Sequence, residues 1–344
     1  MSASAVAGVL ACLLTLLLVP PVIRLCNRWQ LLDRPGALKI HTQPIPRLGG
    51  VPLVIGISAA VLAVERSVAM RSWPFLAALA LVWVAGLIDD VRSLSILFRL
   101  AAQFAAAAFL WRHGWVVPLS GVGVANLIAT SIFVVAFVNA VNFLDGSDGL
   151  AAGVAAIIAI AFVLAGISSA NLFHAVLAPA VAGACLGFLR YNLPPARAFL
   201  GDSGSTSLGL SIAFLSLDFW RSSHATPAAL LFPLLVAALP LVDGALAIIR
   251  RASGGVSPLY GDRFHVSDRM LTRGWSPTRV ALIGYAITIA FASVALWGLW
   301  REPQAFWIAA MLSVGVLVGW AVTLGCLRSE NGRAPNSVSR QKTR

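Results

Sequence analysis

The sequence predicts an all-α, polytopic integral membrane protein of about eleven transmembrane helices, with its chemistry in cytoplasmic loops. Three observations predict it. Of 344 residues, 59% are apolar and only 11% charged, and mean hydropathy is +0.87; soluble domains are roughly 45–50% apolar and about 25% charged. The apolar residues form continuous runs close to the roughly 20 residues that cross a hydrocarbon core. The charged residues collect between those runs. The same distribution argues against a nucleic-acid partner despite a formal net charge of +12, because the basic residues lie in separate loops and a tail instead of one patch. Cys12, Cys26, Cys185 and Cys326 are far apart, with no metal-ligand spacing, and read as reduced packing residues.

Eleven apolar runs lie near 5–23, 49–64, 73–88, 97–111, 121–138, 150–167, 173–189, 206–220, 228–249, 280–300 and 306–326. The first reads as a retained span, since Met1–Ser4 is uncharged, no A-x-A site follows, and Pro20-Pro21 with Arg24 closes it. Runs this long and continuous exclude barrel strands, and no strand is expected. Residues 1–327 form one membrane domain, and 328–344 a basic, disordered tail suited to anionic headgroups. Twenty of the 25 Lys and Arg fall in one alternating set of loops (24–48, 89–99, 139–149, 190–205, 250–279 and the tail), and five in the other. The positive-inside rule then places these loops and the C-terminus in the cytoplasm and the N-terminus outside.

Asp89, Asp90, Asp145, Asp148, Asp202, Asp243, Asp262 and Asp268 map to that same face. A carboxylate at mid-bilayer costs roughly 2.5–3.5 kcal/mol, so gathering several calls for a compensating cation. Helix capping accounts equally well for any single Asp. Five together in Gly/Asn/Ser loops favour a site.

Taken along the chain, the loop before the second run, Lys39 to Gly50, is rigid and basic, and Gly49-Gly50 lets the second helix pack closely. Gly86-Leu-Ile-Asp89-Asp90 closes the third run; adjacent carboxylates repel unless a hard cation such as Mg²⁺ sits beside them. Asn139 and Asn142, three apart at the end of the fifth run, share a helical face, and the Asp145-Gly-Ser-Asp148-Gly turn adds carboxylates and free N–H groups for a phosphate. Its Asp-Gly opening is shared with the CDP-alcohol phosphotransferases, whose downstream pattern is missing. In Phe199-Leu-Gly201-Asp202-Ser203-Gly-Ser205-Thr206, Asp202 at a helix N-terminus suits a metal with anionic oxygens, while Ser203 and Ser205 read as caps. Phe199 in place of Gly, with no preceding Tyr-Asp pair, excludes an intramembrane aspartyl protease. The longest loop runs from Arg250-Arg251 through Arg263, His265 and Asp268-Arg269 and reads as a cap recognising anionic substrate. His113, His174 and His224 map to the outer side and receive no role.

At these residues the chain resembles the polyprenyl-phosphate N-acetylhexosamine-1-phosphate transferases, a group that includes the muramoyl-pentapeptide and dolichol-phosphate enzymes. Five ordered motifs between about 33 and 275 carry the resemblance: HxxPxPRLGG (His41 to Gly50), LIDD, NxxNFxDGxDGLA (Asn139 to Ala151), LGDSGS (Leu200 to Ser205) and the basic His loop. The resemblance implies transfer of a sugar-1-phosphate from a UDP-sugar to a polyprenyl phosphate, with Mg²⁺ (or Mn²⁺ in its place) and UMP as leaving group, in cell-envelope glycan synthesis. It implies Asp202 as metal ligand with Asn142 as a second, and Asp89 and Asp90 handling the lipid phosphate as catalytic groups. Asp145 and Asp148 would bind nucleotide, Arg263 and His265 the sugar or diphosphate, and Arg47, Asn139 and Arg269 complete the substrate-binding set. A homodimer is compatible with it. The chain departs from the family at Thr42-Gln43, where a Lys is usual, and at His265-Val-Ser267-Asp268, where many members have His-x-His-His. A secondary transporter is the competing class. It would place ionisable groups near the midplane in two related halves, whereas the acids here gather at one face. An inactive homologue used as a scaffold is disfavoured by the intact aspartates.

Overall fold

Each of the eleven apolar runs falls on a helix or on a bent pair of helices. The computed structural model describes residues 3–35, 43–64, 66–119, 123–166, 172–223, 226–257, 262–299 and 303–328. In chain order the helices are α1 (Ala3–Trp29), α2 (Gly50–Val64), α3 (Arg66–Val91), α4 (Ile96–Arg112), α5 (Gly123–Leu144), α6 (Leu150–Gly166), α7 (Leu172–Asn192), α8 (Gly201–Ser222), α9 (Pro227–Val236), α10 (Ala238–Ser253), α11 (Val266–Thr272), α12 (Pro277–Gly298) and α13 (Pro303–Thr323).

Among the described residues, six helices are long and apolar enough to cross a membrane, in α1, α3, α5, α7, α12 and α13, or seven if α9 and α10 form one broken span. That is the multi-pass membrane character the composition predicts, with fewer qualifying crossings than eleven. The shortfall has physical causes. α2 and α6, at 15 and 17 residues, are apolar but short. α4 has 17 residues and carries Arg99 and Gln103. α8 has 22 residues but is rich in Ser and includes Asp202 and Asp218. α9 and α10 meet at 72°: Pro240 has no N–H to give the carbonyl four residues back and its ring crowds that carbonyl, so the helix breaks at Ala237.

The expectation of no strands is corrected in one place. Two-residue strands β1 (Leu32–Asp33) and β2 (Ile45–Pro46) pair antiparallel, Leu32 opposite Pro46 and Asp33 opposite Ile45. They lie in the loop after α1, where hydrogen bonds between loop segments satisfy backbone groups that no helix takes up. His41 and Thr42 lie outside the described residues, as does the tail from 329.

α8 runs through the centre of the bundle, flanked by α2, α3, α5, α6 and α7. Every residue from Ser203 to Phe219 is buried. A serine-rich helix tolerates this because its hydroxyls bond carbonyls one turn back: Ser207 to Ser203, Ser211 to Ser207 and Ser216 to Ile212, at 2.6–2.8 Å. Close approach elsewhere depends on small residues. Gly183 and Gly187 of α7 lie against the backbone at Gly8 and Cys12 of α1, leaving no room for a Cβ. Gly50, at the start of α2, lies against Gly204 and Ser203 of α8, as the Gly-Gly reading expects. Gly86 does the same for α3: a Cβ there would stand 2.6 Å from Ser203 Cα. That contact delivers Asp89 and Asp90 to the N-terminus of α8.

Candidate active site

The ends of α1, α5 and α7, the start of α8 and the loops between them enclose an open cavity of about 1190 Å³. Its walls include Asn27, Asp33, Arg47, Asn142, Asp145, Ser147, Asp148, Asn192, Arg197, Asp202 and Arg263. Residues 44–50 are stitched to 199–200 by backbone bonds, Phe199 N to Pro46 O at 2.8 Å, Gly49 N to Phe199 O at 3.0 Å and Gly50 N to Leu200 O at 2.8 Å. This lacing carries Arg47 to the cavity, 3.8 Å from Asp33 and 4.0 Å from Asp90.

Asp202 is the centre of the polar wall. Asn142 Nδ2 donates to its Oδ1 at 2.7 Å and to Ser205 Oγ at 2.8 Å. The Asp202 and Asp89 carboxyl groups are close enough to hydrogen-bond each other. Arg99, from α4, bridges them, with Nη1 3.0 Å from Asp89 Oδ2 and 3.8 Å from Asp202 Oδ2. Leu94 N holds Asp89 Oδ1 at 2.5 Å. Asp90, adjacent in sequence, does something different. It accepts from Asp202 N (2.8 Å), Ser203 N (3.0 Å) and Ser203 Oγ (2.6 Å), and so caps the first turn of α8, where Gly201 at φ +74 turns the chain in.

The glycine-rich turn is held by side chains of its own surroundings. Asp148 Oδ2 accepts from Ala196 N at 2.9 Å. Asn192 accepts from Gly149 N at 3.1 Å and donates to Ala198 O at 2.9 Å, and Tyr285 donates to Gly149 O at 2.6 Å. Asp145 is part-exposed to the cavity yet enclosed by protein. Desolvation, with repulsion from Asp202, Asp90 and Asp148, pushes it well above the usual carboxylate range.

The structure does not bring all the expected residues together. Asn139 turns to α4, its Nδ2 bonding Gln103 Oε1 at 2.6 Å and Val135 O at 2.8 Å, so it fastens α5 to α4 instead of facing the cavity beside Asn142. Asn142 presents its N–H₂ to Asp202 and thus orients that carboxylate. Arg269 bonds Arg328 O at 2.9 Å and stacks 4.5 Å from the Phe264 ring, away from the cavity. His265 is buried, 5% exposed, with Nδ1 2.7 Å from Asp243 Oδ2. Its neighbour Arg263 is exposed and does line the cavity. Asp268 accepts from His265 N at 3.2 Å and closes the first turn of α11. Sequence reasoning missed Arg99, although a guanidinium inside an apolar run was itself a signal; it also gave no role to Asn27, Asn192 or Arg197.

The loop that presents Arg263 is strapped from below. Arg250 Nη2 and Nε reach Asp262 at 2.7–3.2 Å, Arg251 Nη2 and Nε reach it at 3.0–3.1 Å, and Arg250 also bonds Phe264 O at 3.1 Å. The two guanidinium groups hold Asp262 below the usual carboxylate range, against the opposing effect of its partial burial. A depressed carboxylate contributes stability above its unfolded pKa and loses it as pH falls through the folded one. The strap is therefore expected to hold at neutral pH and loosen below about pH 4. Asp262→Asn should abolish that pH dependence, which hydrogen exchange of residues 262–265 between pH 3 and 7 would read.

The sequence matches Glycosyl transferase family 4 over residues 72–219, the stretch that supplies Asp89, Asp90, Arg99, Asn142, Asp145, Asp148 and Asp202. It is 34% identical to the decaprenyl-phosphate N-acetylglucosaminephosphotransferase of Mycolicibacterium smegmatis, over 93% of this chain and 87% of that protein. The chain belongs to glycosyl transferase family 4. Further relatives are the probable undecaprenyl-phosphate N-acetylglucosaminyl 1-phosphate transferase of Bacillus subtilis (30%, covering 83% and 82%) and the phospho-N-acetylmuramoyl-pentapeptide-transferase of Moorella thermoacetica (32%, covering 84% and 96%). As a glycosyl transferase family 4 member the chain is an enzyme, a phosphotransferase of the glycosyl-1-phosphate type. The transporter and scaffold readings fall away.

Proposed function

We propose that this enzyme transfers N-acetylhexosamine-1-phosphate from a UDP-sugar to a polyprenyl phosphate at the cytoplasmic face of the inner membrane, with Mg²⁺ held at Asp202 and Asp89. The observation that carries the reading is that Asp202 lines a cavity rimmed by Arg47, Arg197 and Arg263 and has the Asp89 carboxyl group directly behind it. Two carboxylates in mutual contact repel, and the single guanidinium of Arg99 offsets only one of their two charges. Among the described residues no three His, Cys, Asp or Glu side chains stand at metal-ligand spacing. Mg²⁺ accords with that, since it commonly binds one or two carboxylates and completes its shell with water and substrate phosphate. Mn²⁺ has the same preference for oxygen ligands. When bound, the ion would neutralise charge on the diphosphate. Asn142 keeps Asp202 aimed, the arginines hold phosphate oxygens in line, and Asp145 and Asp148 shape the nucleotide end of the cavity. His265, buried on Asp243, supports Arg263 and does not itself reach the cavity.

Phosphoryl transfer requires mostly positioning and charge neutralisation, and the cavity offers both. If the lipid phosphate attacks the β-phosphorus, the P–O–P bond breaks, the sugar keeps its phosphate and UMP leaves. A transferase acting at the anomeric carbon would release UDP. Chromatography of the nucleotide fraction after turnover with UDP-N-acetylglucosamine and related donors is expected to show UMP, and reversal with added UMP. UDP as the direct product would overturn the reading.

The orientation proposed from the basic loops puts residue 145 in the cytoplasm and residue 116 outside, separated by α5. Reporter fusions at these two positions should report opposite sides. Agreement between them would break the one-face site.

A further inference from the structure

Arg99 has no counterpart in the roles above. Each of the two facing carboxylates has one oxygen fixed by protein donors: Leu94 N holds Asp89 Oδ1 and Asn142 Nδ2 holds Asp202 Oδ1. The remaining oxygen of each, Oδ2, faces Arg99 Nη1, at 3.0 and 3.8 Å. Those are the oxygens a divalent cation bridging the pair would need. The Arg99 side chain is 33% exposed, so it has room to move, while its helix does not: Gln103, one turn further along α4, is tied to Asn139 of α5 at 2.6 Å.

We propose that Arg99 is a built-in counter-ion of the carboxylate pair, displaced by the arriving divalent cation and transferred to an anionic phosphate oxygen of the substrate. The inference rests on the cation site proposed above. Arginine stays protonated at any physiological pH, so it cannot make way by losing its charge; it must relocate. A phosphate is its best new partner, because the planar fork of donors matches two phosphate oxygens. Two consequences follow. Without substrate, Arg99 competes with the cation and weakens its binding. With a phosphate ligand present, Arg99 has somewhere to go, and cation and phosphate reinforce each other's binding by the same factor. The guanidinium then offsets one of the pair's two negative charges when the site is empty, and the site assembles fully when both ligands arrive.

The test is direct binding of Mn²⁺ to the purified full chain in detergent, read by electron paramagnetic resonance of the free ion, with and without polyprenyl phosphate. Arg99→Gln is expected to bind Mn²⁺ about tenfold more tightly than wild type without lipid, a factor within the usual range for coupled sites. Polyprenyl phosphate should tighten Mn²⁺ binding in wild type and have much less effect in the Gln variant. Arg99→Lys keeps the charge and should retain the competition. A matching thermal midpoint shows that the variants are folded. Unchanged or weaker Mn²⁺ binding by a folded Gln variant overturns the counter-ion role and leaves the cation site standing. Failure of wild type to bind Mn²⁺ under any of these conditions overturns both.

Discussion

Replacing Asp202 with Asn is expected to leave a folded, membrane-inserted protein whose turnover falls by about 10²–10³-fold, the usual cost of removing one preorganised electrostatic group from a transition state. The amide is nearly isosteric. Its oxygen can still accept from Asn142 Nδ2, which now meets Asp202 Oδ1 at 2.7 Å, and the backbone N–H still reaches Asp90. What is lost is one of the two negative charges facing each other across the Arg99 bridge. The thermal midpoint in detergent should therefore move little while activity collapses and the dependence on added Mg²⁺ weakens. Full activity in the variant would return Asp202 to an ordinary place in the first turn of α8.

Asp90→Ala should fail in a different way. The Asp90 carboxylate accepts three hydrogen bonds from the start of α8, and its side chain is fully enclosed. Truncation strands two backbone donors and a hydroxyl in a place water hardly reaches. The expected cost is roughly 3–5 kcal/mol, given the strength of hydrogen bonds to charged acceptors and the penalty for unpaired buried groups. Equilibrium unfolding in mixed detergent should show it, and Asn should restore only part, since its amide has one acceptor oxygen in place of two. An alanine variant as stable as wild type but inactive would assign Asp90 to the chemistry, as the resemblance to the lipid-phosphate transferases implies.

The two adjacent aspartates show where the sequence stops informing. Asp89-Asp90 reads as one acidic pair, and both members could face a metal. In the folded chain a helix turns by about 100° per residue, so the two side chains diverge: Asp89 toward Asp202 and Arg99, Asp90 into the cap of α8. Asn139 and Asn142 diverge likewise. Their spacing allows a shared face, but Gln103, 36 residues away, takes the first and leaves the second to Asp202. The isolated His265 reads as an exposed recognition group, and only the packing of α10 under the loop reveals its burial on Asp243.

The sequence by itself determined the membrane character, the helical runs, the gathering of acids at one face and part of the cavity wall, Arg47, Asn142, Asp145, Asp148, Asp202 and Arg263 among it, because hydrophobicity along a chain, backbone freedom at glycine and the cost of charge in lipid are local properties. The tertiary structure decided which carboxylate meets which partner, the role of Arg99, the capping role of Asp90 and the withdrawal of Asn139, His265 and Arg269 from the cavity. It also placed the serine-rich α8 at the centre of the bundle, where its hydroxyls are satisfied by its own carbonyls. These depend on rotation about helix axes and on contacts between residues far apart in the chain, such as Asp90 with Ser203 and Asn142 with Asp202. A periodic pattern specifies which face of a helix is apolar; it does not specify which neighbour that helix meets.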